Sequence, residues 1–217
     1  MVRALRAAGA CLLAAGIFVA GAGASGESPL TAAVKAGDAR AVRALIKSGA
    51  DVNARSGDGS TPLLWAAQAS NPEIAGLLVA AGASVDAANE FGITPLLQAS
   101  RIGSAAMVDL LVRGGANAAL AHPEGETPLV AAARAGSVPP VRALLARGVD
   151  VNAAESFQKT TALMWAAAEG HGDVVDLLIE AGANPNQQGH VTSLTKRHNA
   201  DHPTGGFTAV MFAARNG

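Results

Sequence analysis

The chain has 217 residues, half of them hydrophobic, yet only 3% are aromatic and tyrosine is absent. A core of small aliphatic side chains suits close-packed helices and excludes a sandwich built on large apolar residues. A net charge of −1 excludes any global attraction to nucleic acid or to an anionic membrane surface.

Residues 1–24 read as a secretory signal peptide. "MVRALR" is a short basic start, Ala7 to Ala24 is an uncharged Ala/Gly-rich run, and Ala22-Gly23-Ala24 is a small-residue cleavage signature. The run is only just long enough to span a membrane, and its glycines weaken it as an anchor helix. Cleavage after Ala24 is expected, leaving a mature chain, 25–217, that is periplasmic or secreted and not held in a membrane. The single cysteine, Cys11, leaves with the leader, so disulfides contribute nothing afterwards. Arg3 and Arg6 leave too, and the 14 remaining basic residues against 17 acidic ones give −3. "GAGASG", Gly21 to Gly26, has the spacing of a dinucleotide-binding turn. Such a site needs a strand before it and a helix after it, and this stretch reads as the tail of the signal peptide, so no such site is expected.

From Ser28 the sequence repeats. "SPL" at Ser28 is followed by "TPL" at Thr61, Thr94 and Thr127, evenly spaced. "TAL" at Thr161 comes one position late, and "TAV" at Thr208 much later still. The Ser or Thr can cap a helix through its hydroxyl, and Pro after it suits the first helical position. A short apolar helix follows, carrying paired small residues such as Ala66-Ala67 and Ala132-Ala133 that let a neighbour approach closely. A second helix opens on Asp38, Asn71, Ser104, Ser137 or His171, the first four being capping types. Its apolar residues stand three apart: Val42 and Leu45, Ala75 and Leu78, Val108 and Leu111, Val141 and Leu144, Val175 and Leu178. Gly49, Gly82, Gly115, Gly148 and Gly182 follow these leucines at a fixed interval, where a left-handed helix end is expected. One such unit cannot bury its apolar face; stacked units bury it against each other.

These residues carry a resemblance. "DGSTPLLWAAQASNPEIAGLLVAAGASVDAA", "FGITPLLQASRIGSAAMVDLLVRGGANAA" and "TALMWAAAEGHGDVVDLLIEAGANPN" resemble ankyrin repeats. The resemblance implies an all-α ankyrin-repeat solenoid: paired antiparallel helices, with β-hairpin finger loops projecting from the long turns. Repeats are expected near 28–57, 58–90, 91–123, 124–157 and 158–186, then a long finger insertion at 187–206 and a partial sixth repeat at 207–217. The histidine usual in the family after T-P-L is missing, replaced by Leu64, Leu97, Val130, Met164 and Met211, with Thr31 in the first unit. Ala119 replaces the usual Asn or Asp of its turn, and Lys159 the usual finger glycine. Val210, Met211 and Phe212 are apolar on a last helix with no second helix after it, so the chain is expected to be a fragment of a longer protein.

The resemblance also implies a function: binding another protein through the fingers and the concave face of the first helices, with no chemistry of its own. A non-catalytic, monomeric scaffold is expected, using no cofactor. The alternative is a docking module of a longer exported enzyme or sensor whose other domain lies beyond residue 217. On the family's geometry one concave column holds Lys35, Gln68, Arg101, Arg134, Ala168 and Arg215. A partner with an acidic ridge could follow that basic ladder; equally, its charges could pair with the acidic fingers at Asp58, Glu90, Glu124 and Glu126. A second column holds Trp65, Gln98, Ala131, Trp165 and Phe212, in which the tryptophans are either binding anchors or packing residues. Phe91 and Phe157, expected near finger tips, are candidate contacts.

The insertion holds His190, His198 and His202 with Asp201, residue types that ligate zinc. Pro203 and the surrounding Asn, Gly and Thr work against the helix that would align His198 with His202, so no metal site is expected. "SLTK", Ser193 to Lys196, has the spacing of a serine β-lactamase motif but none of its companion motifs. Nucleic-acid binding through Lys196 and Arg197 lacks stacking aromatics and net positive charge. The segment reads as an enlarged finger.

Overall fold

The computed structural model describes residues 27–156, 158–189 and 208–216. Residues 1–26, Phe157 and the three insertion histidines lie outside the described residues, as do the side chains of Phe212 and Arg215.

Among the described residues, eleven helices alternate between two ranks. The first rank holds α1 (Pro29–Lys35), α3 (Pro62–Gln68), α5 (Pro95–Ile102), α7 (Pro128–Arg134), α9 (Ala162–Ala168) and α11 (Ala209–Asn216). The second holds α2 (Ala39–Lys47), α4 (Pro72–Ala80), α6 (Ala105–Arg113), α8 (Val138–Leu145) and α10 (Gly172–Glu180). Each helix packs on the next of its own rank, and α1 to α10 also pack in pairs within a repeat. This is the all-α solenoid the periodicity predicts.

The caps of the first rank behave as expected. The hydroxyls of Ser28, Thr61, Thr94, Thr127 and Thr161 each accept a backbone N–H from the first turn of their own helix. In the second rank only Asp38 and Asn71 do so. Ser104, Ser137 and His171 make no cap bond and reach instead to the preceding repeat. Ser104 Oγ meets Ser70 Oγ at 2.6 Å, Ser137 Oγ donates to the Gly103 carbonyl at 3.1 Å, and His171 Nε2 lies 3.1 Å from the Arg134 carbonyl. A side chain so engaged is turned away from its own helix.

The core is one row running the length of the stack. Leu30, Leu63, Leu96, Leu129 and Leu163 of the first rank are buried, as are Leu78, Leu111, Leu144 and Leu178 of the second. Each fully buried leucine contributes about 1.5–3 kcal/mol relative to exposure. The alanine pairs between them are buried too and bring the helices together. Leu64, Leu97, Val130 and Met164, standing where the family usually has histidine, are buried as well. Two expected pairs differ. Leu45 is half-buried, at the first repeat of the stack. In α10 it is Val174, 1% exposed, that packs with Leu178, while Val175 is half-buried beside an apolar groove under α11.

The fingers are turns rather than extended hairpins among the described residues. Among the described residues no strand forms, and the only β-bridge is an isolated pair, Ala154 with Thr161. Each finger is a tight turn closed by two backbone bonds at its first residue: Ser56 N–H to Ser60 O, Asn89 to Ile93, His122 to Glu126 and Glu155 to Thr160, with the carbonyls of the same four residues accepting from Gly59, Gly92, Gly125 and Lys159. The last of these turns is one residue longer than the others, which is why the "TAL" start comes late. Lys159 takes the left-handed conformation there (φ 53°), as Gly125 does in the preceding finger.

Candidate functional site

The fingers, numbered here by the repeat each one opens, form a row beside the first rank and are tied to one another. Glu90 N–H donates to the Asp58 carbonyl at 3.0 Å, and Ser156 N–H to that of Glu124 at 2.9 Å. Gly125 allows the second approach: a Cβ there would lie 2.4 Å from Ser156 N. His122 bridges two fingers, with Nε2 at 2.7 Å from the Phe91 carbonyl and Nδ1 accepting the Glu124 N–H at 3.2 Å. In Asp58 the Ser60 hydroxyl and backbone N–H hold the carboxyl below the usual range. Phe91 stands 64% exposed at its tip.

Both tryptophans are half-buried between the fingers and the first rank, each with its indole N–H satisfied. Trp65 Nε1 donates to Ser56 Oγ at 3.1 Å and Trp165 Nε1 to Glu155 Oε1 at 3.2 Å. Each carries a cation from the preceding repeat on its face. Lys35 Nζ lies 3.8 Å from the Trp65 ring centroid, and the Arg134 guanidinium 4.4 Å from that of Trp165. Lys35 also pairs with Glu27 at 2.5 Å. Arg101 has no tryptophan to cover and pairs with Glu126 instead, its Nε at 2.8 Å from Oε2. Three basic members of the ladder are therefore engaged by their own chain. Among the described residues, pairing with a neighbouring finger is observed at Arg101. Gln68, an uncharged member of the column, is exposed.

A cavity of about 610 Å³ opens where fingers four and five face α5, α7 and α9. Arg101, Arg134, Trp165, Gln158 and the carboxylates Glu124, Glu126 and Glu155 line it, over a floor at Ala131 and Ala135. Burial pushes the Glu155 carboxyl above its ordinary value, against the Trp165 N–H, which lowers it; Glu126 and Glu124 push it up further and Arg134 pulls it down. Sequence reasoning missed Glu155. Its signal is the column Ser56, Asn89, His122, Glu155, always polar and always opening a finger.

A family model for ankyrin repeats, spanning three copies, matches residues 4–89 and 96–189. The chain belongs to the ankyrin-repeat family. The match covers most of the sequence and begins inside the stretch read as a leader. No curated protein matches the chain. Ankyrin repeats are generally protein–protein interaction modules and typically non-catalytic. Among the described residues of this ankyrin chain, no three His, Cys, Asp or Glu side chains gather to hold a metal ion, and no helix is long and apolar enough to cross a membrane.

Proposed function

We propose that this ankyrin-repeat protein binds another protein in the trough between its fingers and its first rank of helices. The cavity at fingers four and five carries the reading, because there an aromatic wall and charged groups meet in one concavity. Phe91, exposed on a finger whose Asn89 side chain accepts two backbone N–H bonds, would serve as an apolar contact at the rim. Glu90 and Gln68 are exposed nearby along the same trough. We further propose that the mature chain is exported, as the character of residues 1–24 suggests; N-terminal sequencing of the product would give Ser25 as the first residue.

The test is recovery of bound protein by the mature chain, with cross-links mapped by mass spectrometry. Phe91→Ala should weaken capture by about tenfold, while Arg142→Ala on the outer rank should leave it unchanged. Cross-links confined to α2, α4 and α6, with Phe91→Ala neutral, would place the binding surface elsewhere.

A further inference from the structure

We infer that the cavity at fingers four and five receives a basic side chain, a lysine or arginine, of the bound protein. This rests on the reading that the trough is the binding surface, and it names the partner's chemistry there. One of the two sequence readings runs the other way, toward an acidic partner lying on Lys35, Arg101 and Arg134. The folded chain engages each of those cations: Lys35 with Glu27 and the Trp65 face, Arg101 with Glu126, Arg134 with the Trp165 face. An acidic ridge would have to displace contacts already made. Carboxylates are what remain open. Glu124 is exposed at the cavity rim and makes no ion pair among the described residues. Glu155 accepts the Trp165 N–H, yet no cation lies within ion-pair distance of it among the described residues.

The comparison with the second repeat separates charge from folding. There the same indole bond, from Trp65, is accepted by the neutral hydroxyl of Ser56. Holding the tryptophan thus needs only an uncharged acceptor. In the fifth repeat the acceptor is a carboxylate, kept in a half-buried site with Glu126 and Glu124 acting against its ionisation. An incoming ammonium or guanidinium would compensate that charge, its stem lying along the Ala131–Ala135 floor and its head between Glu124 and Glu155. Neutralising a partly desolvated carboxylate gives more than pairing on an open surface does.

The experiment selects displayed random dodecapeptides on the full chain and on an E124Q/E155Q variant. Both replacements are isosteric, and the amide introduced at position 155 keeps an oxygen for Trp165. Circular dichroism melts of the two proteins establish that the variant is folded. The expected result is enrichment of Lys or Arg at one peptide position on the wild type. A selected peptide synthesised singly should then bind about tenfold more weakly to the variant. Peptides without a basic residue that bind both proteins equally, but lose binding with Trp165→Ala, would overturn the basic-side-chain inference and leave the trough as the binding surface. No enrichment on the wild type would overturn both.

Discussion

A buried and a half-buried polar group give opposite lessons about what a single residue contributes. Ser100 stands in the apolar column of Val34, Ala67, Ala133 and Ala167; its hydroxyl is fully buried and has no hydrogen-bond partner. A buried hydroxyl without a partner costs about 1–3 kcal/mol. Ser100→Ala should therefore raise stability by about 1 kcal/mol, read as a higher urea midpoint with unchanged slope; a lower midpoint would mean the hydroxyl is satisfied after all. Glu155 is the ionisable counterpart. Its folded pKa lies above the ordinary 4.5, so its favourable contribution is complete below that value and is lost as pH rises through the higher folded value. Glu155→Gln should accordingly be more stable than the wild type at pH 7, and the gap should close below about pH 4. A gap that stays constant across that range would show that burial of the charge is not the cause. Neither residue was legible as special in the sequence. Ser100 is a conservative change in a column of small apolar residues, and Glu155 becomes half-buried only at the cavity where fingers four and five meet the first rank.

Helices and turns follow the sequence where the signal is local and depart from it where a neighbouring repeat intervenes. The Thr-Pro starts are local. Thr94 Oγ accepts the Leu97 N–H at 3.2 Å inside the stack. Ser104 has the same capping chemistry, but its hydroxyl is taken by Ser70 of the preceding repeat. Thr94→Ala should cost about 1 kcal/mol, whereas Ser104→Ala, with no cap bond to lose, should cost under about 0.5 kcal/mol. Equal losses in thermal melts of the two variants would refute that division. The fingers depart for a related reason. The family resemblance implies hairpins, but among the described residues each turn closes on two backbone bonds at its first residue with no strand continuing from it, and in two pairs of fingers a backbone N–H bonds instead to the adjacent finger. The basic ladder was legible as a column of residue types; that its members are spent on Glu126 and on two indole faces depends on distances across repeats.

Across the whole stack, cohesion comes from joints as well as from the leucine row. The long turns are stitched by one column of Asn or Asp. Asn53 accepts the Ser84 N–H at 2.8 Å, Asp86 that of Asn117 at 2.9 Å, and Asn152 that of Asn184 at 2.7 Å. Ala119 occupies the same column between the third and fourth repeats and has no oxygen to offer. A cavity of about 280 Å³ opens at that joint, lined by Val112, Ala118, Ala119 and Val149. Arg147 partly substitutes, donating to the Val112 carbonyl at 2.5 Å across the same joint. The family resemblance marks Ala119 as a departure; that the departure removes a stitch emerges only from the bonds its three counterparts make, which put the Asp150 N–H opposite it. In a linear array, stability is a sum of unit terms and nearest-neighbour terms, so one weakened joint sets where the array divides. Ala119→Asn should restore the bond and add about 1 kcal/mol. The gain should appear as slower amide exchange on both sides of the joint, in α6 and in α8, while exchange in α2 stays as it was. Slower exchange on one side alone, or a lower urea midpoint, would show that the joint is already held by Arg147 and that the stack does not divide there.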